Sequence, residues 1–189
     1  ALQGIRQADL RLGECCAVIG MGILGQLTAV LLKTSGVRVI GIDIDPKAVE
    51  IGRKHCLDLG IERADLGIIS KILTFTGGIG CDGVIITAAS SSSDPINFAG
   101  EIARKRGTVV VVGAVPTGFD RDPHYYKKEL TVKMSCSYRP GRYDPEYEDK
   151  GRDYPVGYVR WTEKRNMEAF QILIAEGKID IGYLTSHVF

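Results

Sequence analysis

Gly20, Gly22 and Gly25 stand in the spacing G-x-G-x-x-G, inside the stretch Cys15-Cys16-Ala17-Val18-Ile19-Gly20-Met21-Gly22-Ile23-Leu24-Gly25-Gln26. An apolar run that reads as a buried strand leads into the glycines, and a helical pattern follows them. The first glycine permits a tight turn, the second lets backbone approach a pyrophosphate, and the third lets a helix pack close to the strand. The N–H groups and dipole at the start of that helix then favour an anion. Asp43 supplies the second piece of chemistry. It lies 23 positions beyond Gly20, at the end of the apolar run Val37–Ile42, where an acidic side chain can bind the hydroxyls of an adenosine ribose. Ile44 and Asp45 follow, and Lys47 is the first basic residue. A carboxylate there repels a 2′-phosphate, so the residues favour NAD(H) over NADP(H).

These groups need a scaffold. Leu24, Leu27, Val30 and Leu31 recur at helical spacing, and Gly36 falls where a left-handed helix end belongs. The segment Ala1–Asp9 reads as the end of a helix, and Arg11–Glu14 as a turn into the first strand. Pro46 suits the first turn of a helix over 47–59, and 61–69 holds a short third strand and the start of another helix. The turn Gly77–Gly83 could be a second phosphate loop or a plain connection; no helix follows it, which favours the connection. Val84–Thr87 predicts a fourth strand. The polar loop 90–95 follows it, with Asp94 as a cap and Pro95 opening a helix over 96–105. Thr108–Val112 is an unbroken β-branched run, the mark of a parallel strand covered on both faces. A sixth strand is expected over 131–136. A helix over 161–176 puts Met167, Phe170 and Ile174 on one face, and 181–189 allows a final short strand. Strands alternating with helices predict an α/β Rossmann fold: a doubly wound, mostly parallel six-stranded sheet with helices on both faces.

At 189 residues the chain has the size of one domain. Its 24 Lys+Arg balance 23 Asp+Glu, so no basic field for nucleic acid is implied. No apolar run is long enough to span a bilayer, and no signal peptide is evident. The start at Ala1 rather than Met suggests an excised or processed chain. Five cysteines (15, 16, 56, 81 and 136) form no C-x-x-C pair and no metal-ligand spacing with His55, His124 or His187. Buried thiols in a reducing cytoplasm are the expectation, with Cys15 and Cys16 on opposite faces of their strand.

The ordered set Val18–Gly25, Val39–Asp43, Gly80–Val84, Gly107–Gly113 and Lys128–Leu130 resembles the cofactor domain of medium-chain, zinc-type alcohol dehydrogenases, over nearly the whole chain. Two further stretches, Ser137–Pro145 and Tyr154–Glu163, look like a bacterial group of two-part dehydrogenases linked to surface-polysaccharide synthesis. The resemblance implies that the pyrophosphate lies on Gly20, Met21, Gly22, Ile23, Leu24 and Gly25, and that Asp43 holds the ribose, with Ile44 and Lys47 beside the adenine. It also implies that Thr87 and Ala88 line the nucleotide. Val112, Gly113 and Ala114 would approach the nicotinamide, and the backbone around Ser135 and Ser137 would reach its carboxamide. A substrate is then an alcohol or a sugar derivative, and dimerisation runs through the sixth-strand edge.

The zinc ligands and proton relay of such enzymes belong mainly to a separate substrate domain, expected before Ala1. No catalytic residue and no metal ligand is therefore assigned here. Asp144, Glu146, Glu148 and Asp149 read as a solvated, mutually paired loop rather than an acid–base pair. The Tyr- and Arg-rich segment 137–160 is either a functional or interface element or a packed loop. Two other functions share the glycine turn: a non-catalytic NAD-sensing or assembly module, and an S-adenosylmethionine methyltransferase. The second prefers glycine where this chain has Leu24.

Overall fold

The four central β-strands of the sheet alternate their side chains between two apolar layers, and that alternation builds the fold. In the computed structural model, which describes all residues except Arg139, Ser186 and Phe189, β1 (Cys15–Ile19) is buried along its whole length. Cys15, Ala17 and Ile19 enter one core, while Cys16 and Val18 enter the other, so the two cysteines face opposite ways. The same split divides Ile40 and Ile42 from Val39 in β2 (Arg38–Asp43), and Val84 and Ile86 from Ile85 in β4 (Cys81–Ile86). It separates Val109 and Val111 from Val110 in β5 (Ala103–Val111). With β3 (Leu59–Glu62) and β6 (Thr131–Met134) the sheet has six strands, in the order β3-β2-β1-β4-β5-β6, all parallel.

Helices α1 (Leu2–Ala8) and α2 (Ile23–Thr34) pack on one face, with α7 (Glu163–Ala175) beside them. Helices α4 (Ile68–Phe75) and α5 (Asp94–Ile102) cover the other face. Helix α3 (Pro46–His55) starts on Pro46, and the Asp45 side chain caps it by accepting from the Lys47 N–H at 2.9 Å. A single turn, α6 (Pro145–Glu148), sits inside the Tyr/Arg-rich segment.

Several elements differ from the sequence expectation. Helix α3 stops at His55 because the Cys56 and Leu57 N–H groups both donate to Gly52 O. Asp58 then turns its carboxylate onto the Val39 N–H at 2.8 Å, which starts β3 at Leu59, earlier than expected. Helix α5 ends at Ile102 rather than continuing to Lys105. Ala103 pairs with Cys81 across a bulge, and the Lys128 ammonium donates to the carbonyls of Gly100, Glu101 and Ala103 at 3.0, 2.6 and 2.8 Å, closing the helix end. On α7 the packed side runs through Asn166, Phe170 and Leu173, and Met167 and Ile174 stay substantially exposed. Among the described residues of the tail, Gly182–Leu184 form a short 3-10 turn and no strand is present.

At the N-terminal end of the sheet, Asp82 accepts from the Cys15 N–H at 2.8 Å and from Arg104 Nε at 2.6 Å. This fixes β1 against β4 with Cys16 opposite Gly83. Sheet and helices leave the C-terminal ends of β1, β2 and β4 open on one edge, the place where such sheets hold ligands.

Candidate coenzyme site

The glycine turn is shaped by what its missing side chains would strike. Gly20 has φ +98°, and a Cβ there would come within 2.5 Å of Ala88 N. A Cβ on Gly25 would lie 1.9 Å from Gly20 O, so only glycine lets α2 seat against the turn. A Cβ on Gly22 would meet nothing within 4 Å: its bare backbone faces open space. Thr87, just past β4, fixes the turn from the other side by donating its hydroxyl to Gly20 O at 2.6 Å.

Asp43 closes the same turn from β2. Its Oδ2 accepts from the Met21 N–H at 2.5 Å and its Oδ1 from the Asp45 N–H at 2.8 Å. Each carboxylate oxygen has two acceptor positions, so the group retains capacity for two ligand hydroxyls. The cleft that results holds about 460 Å³ and lies at the β1/β4 switch of strand order.

Of the residues expected to bind cofactor, Gly20, Gly22, Asp43, Ile44, Thr87 and Ala88 line this one cleft. Met21 and Gly25 belong to the turn but point inward, Met21 being only 1 % exposed. Ile23 and Leu24 form the first turn of α2 above it, Ile23 largely exposed. Lys47 sits exposed in the first turn of α3, outside the lining. Val112 and Gly113 follow β5 and both donate their N–H groups to Ile86 O at 2.9 Å. Gly113 presses so close to Ala88 that a Cβ would fall 2.1 Å from Ala88 O. Ala114 O accepts from the Ser90 N–H at 3.0 Å, on the rim. Ser135 continues β6 by donating to Val111 O at 2.9 Å. Ser137 stands apart, in the wall of a second, largely apolar cavity of about 320 Å³ between α1, α2 and α7.

The cleft also contains residues that sequence reasoning passed over, chiefly Arg63. Arg63 follows β3 directly, and a correct end for that strand would have placed it on the ligand edge. Its guanidinium grips Asp94 in a two-pronged pair at 3.1 and 2.7 Å and lies 4.0 Å over the Phe98 ring. Asp94 therefore does not cap α5 as expected. It is the first residue of the helix, and Ser93 occupies the cap position without a side-chain bond.

None of the other titratable candidates lines this cleft. His55 stacks on Tyr183 with ring centroids 3.9 Å apart, and His124 lies in the short helical turn Arg121–Tyr125. Asp144 caps α6 and accepts from the Tyr154 hydroxyl. Glu146 pairs with Lys150 and Arg152, and Glu148 pairs with Arg142. Burial pushes the Cys16 thiol well up, and a hydrogen bond to Cys15 with burial does the same to Cys81. Among the described residues no three His, Cys, Asp or Glu side chains stand together as a metal site.

Comparison with known proteins agrees with this architecture. Residues 24–149 match the family model described as zinc-binding dehydrogenase. The chain is 29 % identical over 187 residues to D-guloside 3-dehydrogenase of Escherichia coli (strain K12), covering 95 % of this chain and 48 % of that protein. It is 27 % identical over 180 residues to an alcohol dehydrogenase of Rhizobium meliloti (strain 1021), covering 94 % and 52 %. Among solved structures, an alcohol dehydrogenase from Thermus sp. ATN1 superposes with a TM-score of 0.72 at 22 % identity, over 98 % of this chain and 48 % of the other. A zinc-binding dehydrogenase from Sinorhizobium meliloti 1021 bound to NADP superposes at 0.71 and 20 % identity, over 95 % and 46 %. These structures share the fold, and this chain spans about half the length of the curated relatives it matches. The family match establishes that the chain belongs to the zinc-binding dehydrogenases, and the six-stranded parallel sheet agrees with it.

Proposed function

We propose that this chain is the NAD(H)-binding domain of an oxidoreductase that moves hydride between a nicotinamide cofactor and an alcohol or sugar-derived substrate. The observation that carries the reading is the Asp43 carboxylate. It lies in the cleft wall beside Gly20 and Gly22, with acceptor capacity left for two ribose hydroxyls. Arg63, the basic residue in the lining, is committed to Asp94, so a 2′-phosphate would meet the Asp43 carboxylate with no unpaired cation among the lining residues. This favours NAD(H), although one structural neighbour carries NADP. The open space at Gly22 is where the pyrophosphate belongs, beneath the exposed N–H groups of the α2 first turn.

Bound nicotinamide would accept or donate the hydride. The residues of this chain bind and orient. Asp43 holds the ribose, Gly22 and the α2 N-terminus hold the phosphates, and Ile44 lies beside the adenine. Thr87, Ala88, Val112 and Gly113 form the wall toward the nicotinamide. No three potential metal ligands stand together among the described residues, and no step is assigned to a metal. A sugar-derived substrate draws support from the guloside dehydrogenase relative. A cytoplasmic location and pairing of two copies through the exposed edge strand β6 complete the proposal.

Calorimetric titration with NADH, NADPH and S-adenosylmethionine tests it. NADH is expected to bind most tightly. Tighter NADPH binding overturns the role of Asp43, and binding of neither nicotinamide overturns the reading. Light scattering tests the edge-strand pair, and a clean monomer removes it.

A further inference from the structure

Gln26 is a polar side chain on a helix face that otherwise packs Ala29, Val30 and Leu32 into the core, and it is only 3 % exposed. A buried amide with unmet hydrogen bonds is costly, so its partners identify what it is for. Its Nε2 donates to Met21 O at 3.0 Å and to Ala48 O at 2.9 Å, and its Oε1 accepts from the Cys56 thiol at 3.3 Å. Two carbonyls can only receive donors, which fixes the orientation of the amide. Burial also raises the Cys56 thiol pKa, which keeps the sulfur protonated and able to donate. Helix α2, helix α3 and the glycine turn thus meet on one side chain.

The consequence lies one peptide further on. In a planar trans peptide the C=O and the following N–H point in opposite directions. Met21 O turned inward onto Gln26 therefore turns the Gly22 N–H outward. That N–H has no acceptor among the described residues, and Gly22 lines the cleft with open space beside it. The neighbouring peptide is held from the opposite side, where the Met21 N–H donates to Asp43.

We propose that Gln26 is a positioning residue of the coenzyme site, aiming the Gly22 N–H at the pyrophosphate by anchoring the Met21 carbonyl. The inference rests on the NAD(H) reading and deepens it. Gln26 touches no ligand; it acts through the turn. Because Gln26 and Asp43 grip successive peptides of the same residue, their effects on coenzyme binding are coupled.

The test measures NADH affinity by calorimetry and Tm by scanning calorimetry, both on the 189-residue chain. Gln26→Met keeps the length of the side chain and removes its donors. Val30→Ala, on the same helix and buried in the same core, is the control for general loosening. Gln26→Met is expected to weaken NADH about tenfold, the loss of one aimed hydrogen bond. Val30→Ala is expected to leave affinity within about twofold at an equal or larger loss of Tm. In the cycle with Asp43→Asn, the double variant should lose less affinity than the product of the single effects. The proposal is overturned if Gln26→Met binds NADH like the parent chain, or if Val30→Ala weakens NADH as much. Strictly multiplicative effects in the cycle overturn the coupling through Met21. Failure of the parent chain to bind NADH would instead strike the NAD(H) reading itself.

Discussion

The glycine turn and the segment 137–160 both lie beyond C-terminal strand ends, yet they are held by opposite means. The turn is fixed by backbone hydrogen bonds from Asp43, Thr87 and Gln26 and by contacts that leave no room for a Cβ at Gly20 or Gly25. The segment is fixed by ion pairs and arginine. Arg165, with its side chain 15 % exposed, donates to the Val159 and Tyr154 carbonyls and to Asp153. Glu146 and Glu148 hold Lys150, Arg152 and Arg142, while Tyr138, Tyr143 and Tyr158 remain on the surface. Geometry held by burial tolerates salt and acid, and geometry held by surface charge does not. The chain therefore contrasts a glycine turn locked by close packing with a segment held largely by ion pairs.

The sharpest way to separate the two is to strike the sheet. Ile85→Ala in β4, at a fully buried position, should cost about 3–4 kcal/mol and lower Tm by roughly 6–16 °C, measured by thermal and urea denaturation. Asp43→Ala should act on binding, weakening NADH about 30-fold, or about 2 kcal/mol. Unchanged affinity in calorimetry would show that the ribose contact is misassigned. Arg165→Ala should raise hydrogen exchange of amides 153–160 about tenfold while those of β1 and β4 stay protected; equal exposure of both regions would erase the contrast.

Acid gives a smaller effect of defined sign. The Tyr154 hydroxyl, with the Glu146 N–H, holds the Asp144 carboxyl below its ordinary value. Its contribution is therefore complete above the unfolded carboxylate value of about 3.9 and is lost as pH falls through the lower folded value. Exchange in 144–154 should rise as pH drops from 5 to about 3, once corrected for intrinsic rates, before the sheet responds. Glu146→Gln should be the mildest change, under about 0.5 kcal/mol, and indistinguishable from wild type in 0.5 M salt.

Sequence was most informative where one physical pattern dominated. The strands Cys15–Ile19, Val84–Ile86 and Thr108–Val111 are continuous apolar runs, and both faces of each are covered, so periodicity and burial agree. The glycine spacing and Asp43 came together in one cleft because each is tied to a strand end. The misplaced boundaries share a different cause. Nothing within 55–62 announces that Asp58 reaches Val39, and nothing within 96–105 announces that Lys128 closes α5, because each partner arrives from elsewhere in the chain. Arg63 was hidden behind the first of these errors. Gln26 was visible as a polar residue on an apolar helix, but its partners Ala48 and Cys56 became evident only in three dimensions.

The Asp82 carboxylate at the floor of the sheet has a consequence for the depth of the cleft. It sets the offset of β1 against β4 from the end opposite the ligand edge, and each residue of strand advances about 3.3 Å. The height of the glycine turn relative to Thr87 is thus decided by counting residues up from Asp82. A slip of one residue at that floor would carry the turn about 3.3 Å from Thr87, so the cleft keeps its depth only while the Asp82 contact holds.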